Sequence, residues 1–416
     1  MRRTKTGLFF LNTLLIPSLI ALTVQAHSNT TPFSPAAAVP SPISDSRPVG
    51  LNEAFDRASQ DFDVPRDLLV AIAFVESRFN DRSGKPSKDS GYGLMHLVEN
   101  PQTQTLVTAA RSLDKPKETL KTDVEQNIRG GAAILRAYAN EQGLDASTRK
   151  DLAEWYQVVT RYSNAESDEV ASLYADEVFG VLTGGLNVEA KGETISVVAR
   201  DVQPKKGKFA NVVMTRATDL PATRDLNPVI RIANPKNFSV ASRAKDYPIR
   251  YIVIHTIQGS YTSAINWFQN PAARVSAHYV VRSRDGSIAQ VVLQKDIAWH
   301  AGNKKYNQQA IGIEHEGFVD DKSWYTDAMY KSSAALTRSL CMKYKIPMDR
   351  AHIIGHYEIK PQRNKHTDPG ALWDWKKYMR EVNPSGSRGV RRKSRQPVRR
   401  SHALSNGRRL EANSRN

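Results

Sequence analysis

Apolar residues recur at three- and four-residue steps from Leu51 onward. Leu51, Phe55, Ala58 and Phe62 form one stripe, the spacing of an amphipathic helix. Pro65 suits the opening of a second helix, whose stripe takes in Leu69, Ile72 and Phe79. A further amphipathic stretch runs from Asn127 to Tyr138, and the helical pattern extends to about Tyr174. Beyond Leu186 the signal changes to short β-like runs (Thr194 to Val198, Val212 to Met214, Val229 to Ile232) broken by Lys, Pro and Asp. From Tyr247 strands and helices mix. Tyr251 to His255, Val275 to Arg282, Ser287 to Leu293 and Ala310 to Phe318 read as strands, the second and third joined by the turn Arg284-Asp285-Gly286. Thr326 is the expected N-cap of a long helix carrying Leu336, Leu340 and Tyr344 on one face. The pattern predicts a multidomain chain: a helical domain over 51–185, a connector with short strands over 186–240, and an α/β domain with a central mixed β-sheet over 241–382.

The two ends are different in kind. Arg2, Arg3 and Lys5 precede an apolar run from Gly7 to Val24, and Val24-Gln25-Ala26 places small residues where a signal peptidase reads. Residues 1–26 are expected to be a signal peptide, with an uncleaved anchor as the alternative, since the run nears the ~18 apolar residues a span needs. Either way the rest of the chain is exported: secreted, periplasmic or cell-wall associated. Residues 27–50, rich in Pro and Ser, read as an extended linker.

The net charge of +17 predicts attraction to polyanions. Residues 383–416 are expected to be a basic, disordered tail; from Pro384 on it holds ten Lys/Arg against one Glu and supplies +9 of the total. The tail is expected to contact anionic cell-wall or membrane polymers, and export argues against a specific nucleic-acid partner. Cys341, the only cysteine, excludes an intrachain disulfide and falls in a helical pattern as a small core residue.

Seven of the ten histidines lie between positions 255 and 366. His255 closes a strand, His356 follows the Ile353-Ile354-Gly355 run, and Asp368 comes twelve residues later. Two imidazoles and one carboxylate leave a tetrahedral zinc ion one open position, the pattern of a catalytic rather than a structural site. On the strand from Ala310, Gly312, Glu314 and Glu316 share one face, so periodicity does not separate the two glutamates.

Tyr251-Ile-Val-Ile-His255-Thr, Val275-Ser-Ala-His278-Tyr, Ala298-Trp299-His300-Ala-Gly302, Ile311-Gly-Ile-Glu314, Ile354-Gly-His356 and His366-Thr-Asp368-Pro-Gly370 occur in this order. The stretch resembles type 2 N-acetylmuramoyl-L-alanine amidases, which share a fold with the peptidoglycan recognition proteins. The resemblance implies that His255, His356 and Asp368 bind Zn2+, that Glu314 rather than Glu316 is the acid/base, and that peptidoglycan is the substrate. It places Trp299, His300 and Asn303 against the muramyl peptide, with Trp299 as plain core the competing reading. His278 is expected to be a supporting residue and not a fourth ligand; His315 and His352 receive no role. Many members carry a lysine two positions before the aspartate ligand to steady the oxyanion. This chain has His366 there, so either His366 or the adjacent Lys365 takes that part.

In the helical domain Glu76 lies on the inward stripe, where a carboxylate either meets a cation or has its pKa raised. Leu69-Val-Ala-Ile-Ala-Phe-Val-Glu76-Ser77, Gly91-Tyr-Gly93-Leu94-Met95-His96-Leu97 and Asn127-Ile-Arg-Gly-Gly131 resemble lytic transglycosylases and other lysozyme-like domains. That resemblance makes Glu76 a second catalytic candidate. His96 stands where the family usually has glutamine, and the Tyr-Asn-Ala-Gly motif survives only as Tyr162-Ser163-Asn164, so glycan binding is expected ahead of glycan cleavage. The reading that competes with a zinc amidase is a non-catalytic peptidoglycan receptor on the same fold, which would lack a metal ligand or the acid/base.

Overall fold

A computed structural model describes residues 49–218, 226–361 and 365–384. The expected signal peptide, nearly all of the expected linker, and the basic tail beyond Pro384 lie outside the described residues.

The helical domain is built from α1 (Leu51–Phe62), α2 (Arg66–Ser77), a two-stranded β1 (Gly91–Tyr92) and β2 (Leu97–Val98), then α3 (Thr105–Ser112), α4 (Lys117–Thr122), α5 (Val124–Glu141), α6 (Tyr156–Tyr162) and α7 (Asp168–Gly184). On α1 Leu51, Phe55 and Ala58 of the expected stripe are buried together with Ala54, while Phe62 is partly buried against the same core. Pro65 caps α2, which is apolar on nearly every side and forms the centre of the domain. The expected stripe overran its end. Arg78 adopts a left-handed conformation (φ 49°) and stops the helix, so Phe79 reaches the core from beyond it, edge-on to Phe55 with ring centroids 6.1 Å apart. Asp123 caps α5 by accepting the Gln126 N–H, and Gly131 on α5 leaves room for Met95, whose side chain a Cβ would meet at 2.7 Å.

The expected connector is divided between the two domains. Its first half is an antiparallel hairpin, β3 (Leu186–Ala190) and β4 (Glu193–Val197), whose Ile195 and Val197 join the helical core. The Glu193 carboxylate accepts the Leu51 and Asn52 N–H groups that open α1. Val212 to Met214, expected as a strand, is not one: Val213 and Met214 are exposed and have no strand partner. β5 (Val229–Ile230) instead becomes the edge strand of the second domain.

That domain continues with β6 (Phe238–Ser239), α8 (Arg243–Asp246), β7 (Tyr251–Thr256), α9 (Tyr261–Gln269), β8 (Tyr279–Val281), β9 (Ile288–Gln290), β10 (Ile297–Ala298), α10 (Lys304–Gln309), β11 (Ala310–His315), α11 (Asp327–Tyr344), β12 (Ile353–Gly355) and α12 (Trp375–Val382). Six strands form one mixed sheet in the order β12-β7-β11-β8-β9-β5. The first four run parallel, β8 and β9 pair antiparallel, and β5 runs parallel to β9. Thr326 caps α11 as expected, its hydroxyl accepting the Met329 N–H. Ile252, Ile254, Ile311, Ile313 and Ile353 pack against Met329, Leu336, Leu340, Cys341 and Tyr378 of α11 and α12. Val280 and Ala289 face Ile265 and Phe268 of α9, and Val170 of the helical α7 belongs to this same cluster.

Beside that apolar contact, the two domains are joined by polar ones. Arg78 donates to Ser283 Oγ (2.7 Å) and lies 4.1 Å over the Trp324 ring; Asn266 on α9 donates to the carbonyls of Ser163 and Asn164. No described helix is long and apolar enough to cross a membrane.

Candidate active site

In a parallel sheet, side chains at the carboxyl ends of neighbouring strands gather at one edge. His255 is near the end of β7, Glu314 is its register partner on β11, and His356 follows β12 directly. Asp368 comes from the loop after Lys365. That loop is held down where the Tyr325 hydroxyl donates to the Pro369 carbonyl (2.8 Å) and the Tyr357 N–H to the Asp368 carbonyl (3.1 Å).

The three residues expected as metal ligands converge. His255 Nδ1 is 3.1 Å from His356 Nδ1 and 3.1 Å from Asp368 Oδ2, and His356 Nδ1 is 3.2 Å from that oxygen. A tetrahedral zinc with bonds of about 2.0–2.1 Å holds its ligand atoms about 3.3 Å apart, so this triangle has the dimensions of one face of such a site. All three side chains are buried. Burial, reinforced by the neighbouring His356, lowers the His255 pKa to about 4 and keeps its imidazole neutral, as ligation requires. Burial alone would raise the Asp368 pKa, but the adjoining imidazoles of His255, His356 and His366 outweigh it and hold the group well below the usual carboxylate value. The site therefore fits a divalent ion that favours nitrogen and oxygen.

Surrounding groups fix these ligands. His255 Nε2 lies 3.0 Å from His300 Nδ1, so the tautomer that frees His255 Nδ1 for a metal donates its other proton to His300. His315, expected to be a framework or surface histidine, is framework: its Nδ1 donates to the His255 carbonyl (2.8 Å), and its Nε2 meets the Ser333 hydroxyl (2.6 Å). His278 is fully buried, 2.8 Å from an Arg243 nitrogen, and accepts the Gly312 N–H at Nδ1, away from the ligand triangle. His352 is paired with Asp349 at the surface.

The two glutamates of the β11 region part company. Glu314 lines the cavity, and its Oε2 is buried with no hydrogen-bond partner among the described residues. Burial first, then the nearby Asp368, raises its pKa well above the usual carboxylate value, while Lys88 acts in the opposite direction. Glu316 turns into the domain interface, where its two oxygens accept the N–H groups of Tyr261 (2.9 Å) and Ser283 (2.6 Å).

The cavity holds about 740 Å³. Trp299, His300 and Asn303 line it, as does His366, whose ring stacks on His356 at 3.8 Å; Lys365 is exposed and outside the lining. Trp299 is partly buried and donates from Nε1 to Ser239 Oγ (3.0 Å), and Asn303 caps α10. Sequence reasoning missed Lys88 and Asp89, which belong to the helical domain yet form part of the wall. It had no signal to find them, because nothing in the periodicity of residues 81–90 tells which loop of another domain they meet.

Glu76 is buried and has found a histidine, not an arginine: His96 Nδ1 is 3.5 Å away, and His96 Nε2 is 3.1 Å from Asp89. Burial opposes charge on His96, but Asp89 and Glu76 outweigh it and raise its pKa to about 9; the Glu76 pKa is raised by burial against the pull of His96. Ser260, at the start of α9, donates to Glu76 Oε2 (3.1 Å), so the second domain closes one side of this site. The space left beside Glu76 is about 140 Å³.

A family model described as N-acetylmuramoyl-L-alanine amidase matches residues 245–371, and one described as a transglycosylase SLT domain matches residues 53–170. The N-acetylmuramoyl-L-alanine amidase A of Achromobacter lyticus is 35% identical over 170 residues, which cover 37% of this chain and 92% of that protein. The 1,6-anhydro-N-acetylmuramyl-L-alanine amidase AmpD of Citrobacter freundii is 43% identical over 118 residues, 27% of this chain; the chain spans 59% of the length of that relative. Among solved structures, the amidase AmiD of E. coli, in complex with anhydro-N-acetylmuramic acid-L-Ala-D-gamma-Glu-L-Lys, is 26% identical and covers 32% of this chain and 57% of that one, with a TM-score of 0.25.

Proposed function

This chain belongs to the N-acetylmuramoyl-L-alanine amidases, hydrolases of the amide between N-acetylmuramic acid and L-alanine in peptidoglycan, and we propose that it works with Zn2+ held by His255, His356 and Asp368. The observation that carries this reading is the triangle of three buried donor atoms, 3.1–3.2 Å on each edge, facing the same cavity as Glu314. When bound there, zinc supplies polarisation of the scissile carbonyl and lowers the pKa of water to about 7.

The chain's own residues do the rest. Glu314, its Oε2 free of other partners, takes the proton as water oxygen bonds to the carbonyl carbon. It then delivers that proton to the alanine nitrogen as the C–N bond breaks. His366, at the cavity wall, donates to the carbonyl oxygen as negative charge develops there. Trp299, His300 and Asn303 bind the muramyl peptide. The competing receptor reading needs a missing ligand or a missing acid/base, and this chain keeps all four residues. Digestion of purified peptidoglycan by the wild type and by Glu314→Ala, with products identified by mass, tests the reading. Free peptides beginning with L-alanine, lost in the variant, support it; no such peptides from the zinc-supplemented wild type would leave only the receptor.

Residues 1–26 direct export, and the tail after 383 tethers the enzyme to anionic polymers. Fractionation with N-terminal sequencing starting at His27, and salt-sensitive wall retention lost on truncation at Pro384, check the two proposals separately. The helical domain, an SLT match, does not cleave glycan: the 140 Å³ beside Glu76 falls below the ~300 Å³ that ligand pockets usually offer.

A further inference from the structure

The amidase cavity is not made by the amidase domain alone. Its wall includes Lys88, which lies outside the region matched by the amidase family model. Lys88 is exposed, whereas its neighbours Ser87 and Asp89 are both 8% exposed. The turn is fixed from several directions. The Ser87 hydroxyl donates to Asp89 Oδ1 (2.7 Å) and itself accepts the Gly91 N–H (2.8 Å); Asp89 is paired with the His96 imidazolium. The Lys88 N–H donates to the Gln258 carbonyl (2.9 Å), which bolts the turn to the loop just after β7. His96, the departure from the lysozyme-like pattern, thus braces a turn that presents one ammonium group to the other domain's cavity.

We infer that Lys88 is a substrate-binding residue of the amidase, supplied by the helical domain to anchor a carboxylate on the peptide side of the scissile bond. This rests on the amidase reading above. Glu314 must reach the leaving alanine nitrogen, so the peptide departs on the Glu314 side of the cavity, and Lys88 shares that cavity's wall with Glu314, pinned beside Gln258 three residues past His255; Lys304 also lines it, from the start of α10. Arg274, another cation of the lining, stands instead over the Trp299 ring. A peptide of the form L-Ala-D-γ-Glu, as in the ligand of the AmiD structure, is linked through the glutamate side chain, which leaves its α-carboxylate free one residue past the cleavage point. An exposed ammonium at the rim suits such a group better than an oxyanion formed at the cavity floor.

The test uses the full-length zinc-loaded protein and two muramyl tripeptides that differ only in the γ-linked residue, one with the free α-carboxylate and one with the carboxamide. For Lys88→Met, KM on the carboxylate substrate should rise about fivefold with kcat nearly unchanged, since a partly exposed charge pair is worth up to ~1 kcal/mol. The carboxamide substrate should lose less than twofold, and Lys88→Arg should recover the wild-type preference. Equal losses on both substrates, or no loss on the carboxylate, would overturn the inference. Failure of the wild type to cleave either substrate would instead remove the amidase reading itself.

Discussion

Glu314 sits directly opposite His255 in the register of two neighbouring parallel strands, β11 and β7. One pairing register therefore sets the spacing between a proposed metal ligand and the proposed acid/base, and no loop comes between them. A one-residue slip of β11 would turn Glu314 to the face opposite His255, so the isoleucine core packed under α11 also sets the chemistry.

Replacement of Glu314 by Gln should leave the metal bound and lower kcat by about 10²–10⁴, the usual worth of a positioned general acid–base. Zinc content by mass spectrometry together with kcat on a muramyl peptide checks this. Loss of zinc along with activity would show that Glu314 supports the metal and does not move the proton.

Glu316, two residues on, should behave in the opposite way. Its carboxylate holds the N–H groups of Tyr261 and Ser283 and faces Arg78. Glu316→Ala leaves the buried Tyr261 and Ser283 N–H groups without their acceptor and should destabilise the protein by about 3 kcal/mol, read as a lowered melting temperature, while kcat of the folded fraction is retained.

Much of this was legible beforehand, and the parts that were not share a cause. His255, His356, Asp368 and Glu314 fall in ordered local motifs, and alternation along β11 reports which residues share a face. The long helices at Leu51 and Asp327 carry several turns of apolar stripe, and the second opens on the Thr326 cap. Val212 to Met214 resembles a strand in composition, but strand formation needs a partner edge, which local sequence does not encode. Phe79 failed as a helical residue because Arg78 leaves the helix before it. The different fates of Glu314 and Glu316, and the arrival of Lys88 in the cavity, depend on contacts between domains and have no periodic signature.

Metal removal should both inactivate and destabilise. The ligand triangle is preformed, so an ion binding only the native state should raise the unfolding free energy by ~2.7 kcal/mol at a free concentration 100 times its Kd. Thermal melts with chelator and with graded zinc check this. A melting temperature indifferent to zinc would argue against the His255–His356–Asp368 site. His356→Ala should abolish the shift.

The His96 cluster predicts an alkaline loss of stability. Its pKa in the folded protein, about 9, exceeds the ordinary 6.5, so proton binding favours the native state. That stabilisation is fully present below pH 6.5 and disappears as pH rises through 9. A shift of this size corresponds to about 3 kcal/mol at most. Urea unfolding at pH 6 and pH 10 should show the loss in the wild type, and His96→Gln should flatten it.

The same cluster bears on glycan cleavage. A general acid must be protonated and reachable, and burial alone would favour protonated Glu76. That raised pKa survives the pull of the imidazolium 3.5 Å away, but Glu76 is not reachable: Ser260 occupies Oε2, and α9 closes the space where a sugar would lie. Glu76→Gln should therefore leave the amidase rate within about twofold of wild type, a change in the range of a neutral substitution. Digests of intact peptidoglycan by the wild type should contain no anhydromuramyl ends attributable to Glu76. If such ends form and vanish in Glu76→Gln, then α9 must leave the cleft during turnover, and the helical domain would be a second enzyme gated by the first.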